Sequence, residues 1–172
     1  MPLPTTALTV AAASSIFASA WFTGVATSFS VAAIPTILSA SGAPGETILQ
    51  QWRFFFIRGA WIMPAIGTFS MLSHWAVAYY CWMSGVEWRG FAAAGVSSFF
   101  VHPYTLFALM PTNYRLLAAS DPAVSDELKS EKKATLTEDA ARTLIRKWGA
   151  LNVPRAVVPA IGTVLALWNF AL

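Results

Sequence analysis

Residues 102–115, HPYTLFALMPTNYR, combine a histidine, two prolines, an asparagine and an arginine with strongly apolar neighbours. The apolar segment that contains them, residues 91–117, is longer than the roughly 20 residues that cross the hydrocarbon core of a bilayer. Polar side chains within such a segment are costly, and they usually face the bundle interior or a wet cavity. The stretch therefore predicts a transmembrane helix that contributes to a site.

The composition of the whole chain also indicates a membrane protein. Of its 172 residues, 56% are hydrophobic and 11% are charged, compared with roughly 25% charged residues in an ordinary soluble domain. No charged side chain occurs before Glu46 or after Arg155, and most charges lie within residues 118–147. The net charge of +3 is too small and too localised for a nucleic-acid interface. A single cysteine, Cys81, excludes an intrachain disulfide and a cysteine-based zinc site.

Apolar segments and turn signals divide the chain into four membrane spans. They are predicted at about 7–40, 52–83, 91–117 and 148–172, which makes residues 1–172 a single transmembrane domain. The segment between the last two spans, residues 118–147, contains no apolar run that is able to cross a membrane. The expected fold is all-α: an integral membrane four-helix bundle with a soluble, partly helical loop between helices three and four.

The distribution of basic residues predicts the orientation of this bundle. Loop 118–147 holds six of them, whereas the loop between helices two and three holds only Arg89. The six are Lys129, Lys132, Lys133, Arg142, Arg146 and Lys147. Because basic residues accumulate on the cytoplasmic side, we expect loop 118–147 in the cytoplasm and both termini on the lumenal or exterior side.

Polar and aromatic residues of three helices are predicted to converge near the cytoplasmic end. They belong to the start of helix two, the end of helix three and the start of helix four: Trp52, Arg53, Arg58, Asn113, Arg115, Trp148, Asn152 and Arg155. Arg155 follows Pro154, which leaves a nearby carbonyl free, and Asn152 lies three residues earlier on the same face. This pair predicts a site for a phenolate, a carboxylate or a headgroup, with a structural interhelical bond as the alternative. For Arg53 and Arg115, the alternative is that their side chains only extend to lipid headgroups.

His74 and His102 form a second group of candidates. Their positions in helices two and three predict similar depths, roughly 13 to 17 Å from the same membrane face. One interpretation is a proton relay or a general base, because an unperturbed imidazole titrates near neutral pH. A second interpretation is that the two histidines bind haem or a metal as a ligand pair. The third interpretation is that they are two unrelated histidines that only pack in the bundle. His102 is the stronger candidate, because Pro103 interrupts the helix beside it and Tyr104 adds a hydroxyl.

Four segments resemble a known family of small membrane proteins, the anthrone oxygenases. The segments are TGVATSFSVAAIP in helix one, QQW and then RG at the start of helix two, PYTLFALMPTN in helix three and KWGALNVPR at the start of helix four. The similarity covers nearly the whole chain. Its most specific part is PYTLFALMPTN, residues 103–113, together with Trp148, Asn152 and Arg155.

The resemblance implies a membrane-bound monooxygenase of aromatic polyketide biosynthesis that oxidises the methylene of an anthrone to the quinone carbonyl with molecular oxygen. It also implies that no flavin or metal cofactor is needed, and the sequence has no Gly-rich dinucleotide loop. The methylene is flanked by two aryl rings and conjugated with a carbonyl, so its deprotonation yields an enolate that is able to reduce oxygen. The expected partners are an aromatic polyketide and the lipid bilayer, and a homodimer is left open.

Candidate residues for this chemistry are our own assignment on the scheme that the resemblance implies. His102 is the expected base, and Arg155 with Asn113 and Asn152 is expected to hold the developing oxyanion. The expected substrate-binding residues are aromatic or basic: Trp52, Tyr104, Trp148 and Arg58.

Three other functions remain compatible with the same sequence. The first is a membrane redox enzyme that uses His74 and His102 to bind haem, copper or iron. The second is a cyclase or isomerase that rearranges a related polyketide in the same pocket. The third is a carrier or scaffold without catalytic activity, for which four spans with a small-residue first helix are also suitable.

Overall fold

The computed structural model describes residues 5–121 and 137–171, and these residues form four long helices. The helices are α1 Thr6–Ser39, α2 Gly45–Met83, α3 Arg89–Ser120 and α4 Glu138–Ala171, and each is long and apolar enough to cross a membrane. No strand occurs among the described residues. The predicted all-α membrane bundle is confirmed, and the chain is a multi-pass membrane protein.

The four helices pack side by side in a ring, in which α1 and α3 each lie between α2 and α4. Short turns connect α1 to α2 and α2 to α3. Gly42 and Gly85 have φ angles of 75° and 70° in these turns, and glycine adopts such angles without a steric penalty. The chain therefore reverses direction within a few residues between α1 and α2 and again between α2 and α3, as in an up-and-down bundle.

Both α2 and α4 begin earlier than the spans predicted at 52–83 and 148–172. The start of α4 falls within the predicted loop 118–147, of which residues 122–136 lie outside the described residues. The early start of α4 has a physical reason, because Ala141 and Ile145 are buried one turn apart beside Trp148. They complete an apolar cluster with α1, α2 and α3 that includes Ile34, Ile37, Ile48, Leu49 and Leu116.

Arg142 connects the start of α4 to the end of α1. Its Nη1 donates to the Leu38 carbonyl at 3.0 Å, and its Nη2 donates to the Ala40 carbonyl at 2.9 Å. Its Nε also donates to Glu138 at 2.9 Å. The last carbonyls of a helix lack intrahelical donors, so Arg142 satisfies the end of α1 and holds the two helices together there.

Two helices contain a single widened turn, and each of these turns precedes a proline. The π-helical turns are Phe29–Ala33 in α1 and Thr105–Leu109 in α3. Pro35 and Pro111 follow them and have no N–H to donate, so the usual bond from the residue four positions later is missing for the carbonyl in the middle of each turn. Such turns often occur at functional sites, and both lie beside the main cavity.

Candidate active site

A cavity of about 380 Å³ lies between the four helices. Its volume falls within the range of small-molecule sites, which are mostly apolar with a few placed polar groups. Apolar side chains from all four helices provide most of the wall, and the polar groups are contributed by α3 and α4. Among the described residues the wall comprises Phe29, Phe56, Gly59, Ala60, Met63, Pro64, Gly67, Val101, His102, Thr105, Leu106, Met110, Asn113, Trp148 and Arg155.

Close packing of α1 against α2 helps to form this wall. A Cβ atom on Gly59 would lie 3.2 Å from Cζ of Phe29, which is closer than an ordinary carbon–carbon contact. Glycine at this position therefore allows the Phe29 ring to lie flat against α2. The ring also makes an edge contact with Trp148, with centroids 5.7 Å apart. One aromatic wall is thus built from α1 and α4.

His102 presents one bonded and one unbonded ring nitrogen. Its Nε2 lies 2.9 Å from the hydroxyl oxygen of Thr68 on α2. Its Nδ1 is buried and has no hydrogen-bond partner among the described residues. An imidazole held at one nitrogen and free at the other is suited to accept a proton from a bound molecule.

Arg155 brings a positive charge to the same cavity. Its Nη1 donates to the Asn152 side-chain oxygen at 3.1 Å, whereas its Nε is buried without a partner. The guanidinium also lies 5.8 Å from the centre of the Phe22 ring. No carboxylate of the described residues forms a salt bridge with it. A buried cation without a counter-ion favours the binding of an anion.

A continuous series of hydrogen bonds orients the polar side chains of this wall. The Asn152 amide donates to the Trp148 carbonyl at 2.8 Å, and the Trp148 indole N–H donates to the Asn113 side-chain oxygen at 2.7 Å. The Asn113 amide then faces Met110, whose sulfur lies 3.6 Å away. Because a thioether is a weak acceptor, the Asn113 amide retains a donor for a ligand oxygen.

Three of the predicted residues lie behind the wall and do not line the cavity. Asn152 is completely buried and bonds to Arg155. Trp52 is also completely buried, stacked on Phe56 with centroids 4.9 Å apart. Tyr104 donates its hydroxyl to the Leu151 carbonyl at 3.0 Å. These side chains support the residues that line the cavity, which differs from the predicted contact of Trp52 and Tyr104 with substrate.

Arg58 also lies away from the cavity. It is exposed, and its Nη1 donates to the Phe54 carbonyl one turn earlier at 3.2 Å. Its guanidinium lies 3.4 Å from the centre of the Phe54 ring. The side chain therefore follows the outer surface of α2, because the rotation of the helix at this position turns it outward.

The structure does not bring His74 and His102 into one site. The Nδ1 of His74 lies 2.8 Å from the Ser70 carbonyl, and the Ser70 hydroxyl contacts Ser98 at 3.2 Å. His102 contacts α2 at Thr68, six residues before His74, which corresponds to about 9 Å along the helix axis. Among residues 5–121 and 137–171, no group of three or more His, Cys, Asp or Glu side chains is placed to hold a metal ion.

Thr68 is the functional candidate that the sequence did not reveal. It belongs to no motif, and its contact with His102 joins two helices across 34 residues. The only sign of Thr68 in the sequence is a hydroxyl in the middle of an apolar span. Packing of α2 against α3 was needed to identify its partner.

The cavity opens to the outer surface of the bundle between α2 and α3. Ala60 and Pro64 on α2 and Leu106 on α3 line the cavity and are also exposed. Trp61 and Phe107 beside this opening are each 83% exposed. Because both helices are long and apolar enough to cross a membrane, we expect this opening to face lipid.

Comparisons with known proteins place the chain among related sequences. A family model described as anthrone oxygenase matches residues 52–165. A monooxygenase named hypC from Dothistroma septosporum is 31% identical over 147 residues, which cover 86% of this chain and 75% of that protein. An anthrone oxygenase from Claviceps purpurea is 29% identical over 164 residues, with 94% and 87% covered. The anthrone oxygenase encC from Aspergillus fumigatus is 29% identical over 157 residues, with 86% and 85% covered. No solved structure matches the chain.

Proposed function

This chain belongs to the anthrone oxygenase family, and on that premise we propose that it oxidises an anthrone-type aromatic polyketide to the anthraquinone with molecular oxygen. One observation carries the proposal: His102, which has a ring nitrogen without a partner, lines one apolar cavity together with Arg155 and Asn113. Such a cavity is suited to a flat, apolar molecule that becomes anionic during its reaction.

The first step is removal of a proton from the methylene of the anthrone. The Nδ1 atom of His102 accepts the proton, and the electron pair is delocalised onto the carbonyl oxygen. A positioned general base contributes roughly 10²- to 10⁴-fold to such a step. Arg155 and Asn113 donate to the oxyanion, and preorganised donors of this kind contribute about 3 to 4 kcal/mol each.

Oxidation then needs only molecular oxygen. The enolate carbon gives an electron to oxygen, and the two radicals combine to form a carbon–oxygen bond. The imidazolium of His102 returns its proton to the distal peroxide oxygen. Loss of the second methylene proton then breaks the oxygen–oxygen bond and releases water. The four electrons lost by the methylene carbon are those that oxygen gains, so no flavin, haem or metal is required.

The proposed reaction is tested by product analysis with labelled oxygen. The purified protein in ¹⁸O₂ is expected to form quinone with one labelled oxygen atom at a rate above spontaneous oxidation. A cyclase or isomerase would leave the product unlabelled. A sample that loses its activity when metal is removed, or that shows a haem spectrum, would contradict the cofactor-free reaction.

The role of His102 is tested by the substitution His102→Gln. The rate is expected to fall roughly 10²- to 10⁴-fold, because glutamine fills similar space and is not a base. The matched control is His74→Gln, which changes a buried histidine outside the cavity and is expected to retain the wild-type rate. A His102→Gln variant with the wild-type rate would remove His102 from this role.

We also propose that residues 118–147 face the cytoplasm and that both termini face the lumen or the exterior. The six basic residues of this segment support that orientation. The cavity residues Asn113 and Trp148 would then lie near the cytoplasmic end of the bundle. The apolar surface of the bundle would also allow a homodimer, and this oligomeric state stays a prediction.

A further inference from the structure

We propose that Thr68 is a positioning residue that holds the His102 imidazole in the tautomer with a bare Nδ1. The inference rests on the proposed function, since it concerns the base of that reaction. Thr68 contacts Nε2 at 2.9 Å, and it does not belong to the cavity wall. Its action on the reaction must therefore pass through His102.

A hydroxyl is able either to donate to Nε2 or to accept from it, and the surroundings of Nδ1 distinguish these two cases. If Thr68 donated, Nδ1 would carry the hydrogen and would be a buried N–H without a partner. Orphaned buried N–H groups are rare in proteins, and unsatisfied acceptors are less so. If Thr68 accepts, Nδ1 is instead an unpaired acceptor.

The same arrangement serves the charged form of the imidazole. When Nδ1 takes a proton from the substrate, both ring nitrogens become donors, and the bond from Nε2 to Thr68 is unchanged. No group has to reorient while the proton moves. A preorganised acceptor on the far side of an imidazole fixes its orientation, as the outer partners of metal-binding histidines do.

The kinetic test uses Thr68→Val, which keeps the shape of the side chain and removes the hydroxyl. We expect kcat to fall roughly 10- to 100-fold, as for lost outer partners of histidine ligands, with KM almost unchanged because Thr68 does not line the cavity. Thr68→Ser is expected to restore most of the rate. The control is Thr163→Val, which removes another buried interhelical hydroxyl contact, that with Ser19 at 2.6 Å, and is expected to retain the wild-type kcat.

A second comparison separates this inference from the proposed function. In the His102→Gln background, Thr68→Val is expected to cause no further loss of rate. An equal loss in both backgrounds would overturn the positioning role while the oxidation itself stood. A wild-type protein that does not oxidise an anthrone would instead overturn the proposed function.

The tautomer has a readout that does not depend on activity. Solid-state NMR of ¹⁵N-histidine-labelled protein in lipid, with His74→Gln to leave only the His102 signals, reports which ring nitrogen carries the hydrogen. We expect a protonated Nε2 and an unprotonated Nδ1 in the resting protein, and a mixture of tautomers in Thr68→Val. A hydrogen on Nδ1 in the resting protein would overturn the inference.

Discussion

The guanidinium of Arg155 is a buried charge that no described carboxylate neutralises. Burial of an unpaired ion costs several kcal/mol even after the surroundings relax. Asn152 and the face of the Phe22 ring offset part of that cost. A protein retains such a residue when a ligand supplies the missing negative charge, which is why Arg155 is assigned to the oxyanion and not to the stability of the bundle.

An unpaired buried charge predicts opposite effects of Arg155→Met on stability and on activity. The midpoint of thermal unfolding in detergent is expected to stay the same or to rise, because an apolar side chain of similar length removes the desolvation penalty. The rate of anthrone oxidation is expected to fall roughly 10²- to 10³-fold, since one donor to the oxyanion is lost.

The control for this change is Arg146→Met, which removes an exposed arginine two turns earlier on the same helix. That variant should keep the wild-type rate. If Arg155→Met lowered the unfolding midpoint strongly and left the rate of the folded fraction unchanged, Arg155 would be a structural residue only.

The π-helical turn Thr105–Leu109 lies between two polar residues of α3 that line the cavity. His102 precedes this turn and Asn113 follows it, and both line the same cavity. One extra residue in a turn rotates everything beyond it by about 100° relative to a regular helix. Eleven positions in a regular helix correspond to three turns and about 20°. The extra residue of the widened turn changes this difference to about 80°, and both side chains still line the cavity.

The opening between α2 and α3 leads to a prediction about substrate entry. Ala60→Phe places a ring where a small exposed residue now lines the cavity. An apolar anthrone partitions into lipid, so a narrower opening is expected to raise KM several-fold and to lower kcat/KM. The measurement is steady-state oxidation in liposomes over a range of anthrone-to-lipid ratios.

Ala65→Phe is the matched variant, because Ala65 is an exposed alanine on the same helix outside the cavity wall. It should leave both kinetic constants unchanged. Equal kinetics for Ala60→Phe and the wild type would show that the substrate enters by another route.

The proposed orientation of the whole bundle rests on its charges and can be measured directly. Thr6→Cys and Thr137→Cys place a thiol at exposed positions near opposite ends of the described structure. The native Cys81 is buried, so we expect it to add little labelling of its own. In sealed cells, a membrane-impermeant maleimide is expected to label Thr6→Cys directly and Thr137→Cys only after permeabilisation, because loop 118–147 carries the basic residues. The reverse pattern would place both termini in the cytoplasm.

The sequence alone was sufficient for the class of protein and for the residues that carry polar groups into the membrane. Four apolar segments predict four spans because each segment must satisfy its backbone hydrogen bonds as a helix within lipid. His102, Asn113, Trp148 and Arg155 were identified because polar atoms in such helices are driven to the interior. The structure places all four on the wall of one cavity.

Only the tertiary structure distinguished the residues that line the cavity from those that support it or point away. Trp52, Tyr104 and Arg58 have suitable chemistry, but the rotation of α2 and α3 directs them behind the wall or outward. The contact between Thr68 and His102, and the separate surroundings of His74, likewise depend on how α2 packs against α3. Spacing along a sequence predicts depth in the membrane, whereas the direction of a side chain depends on prolines, π-helical turns and the neighbouring helix.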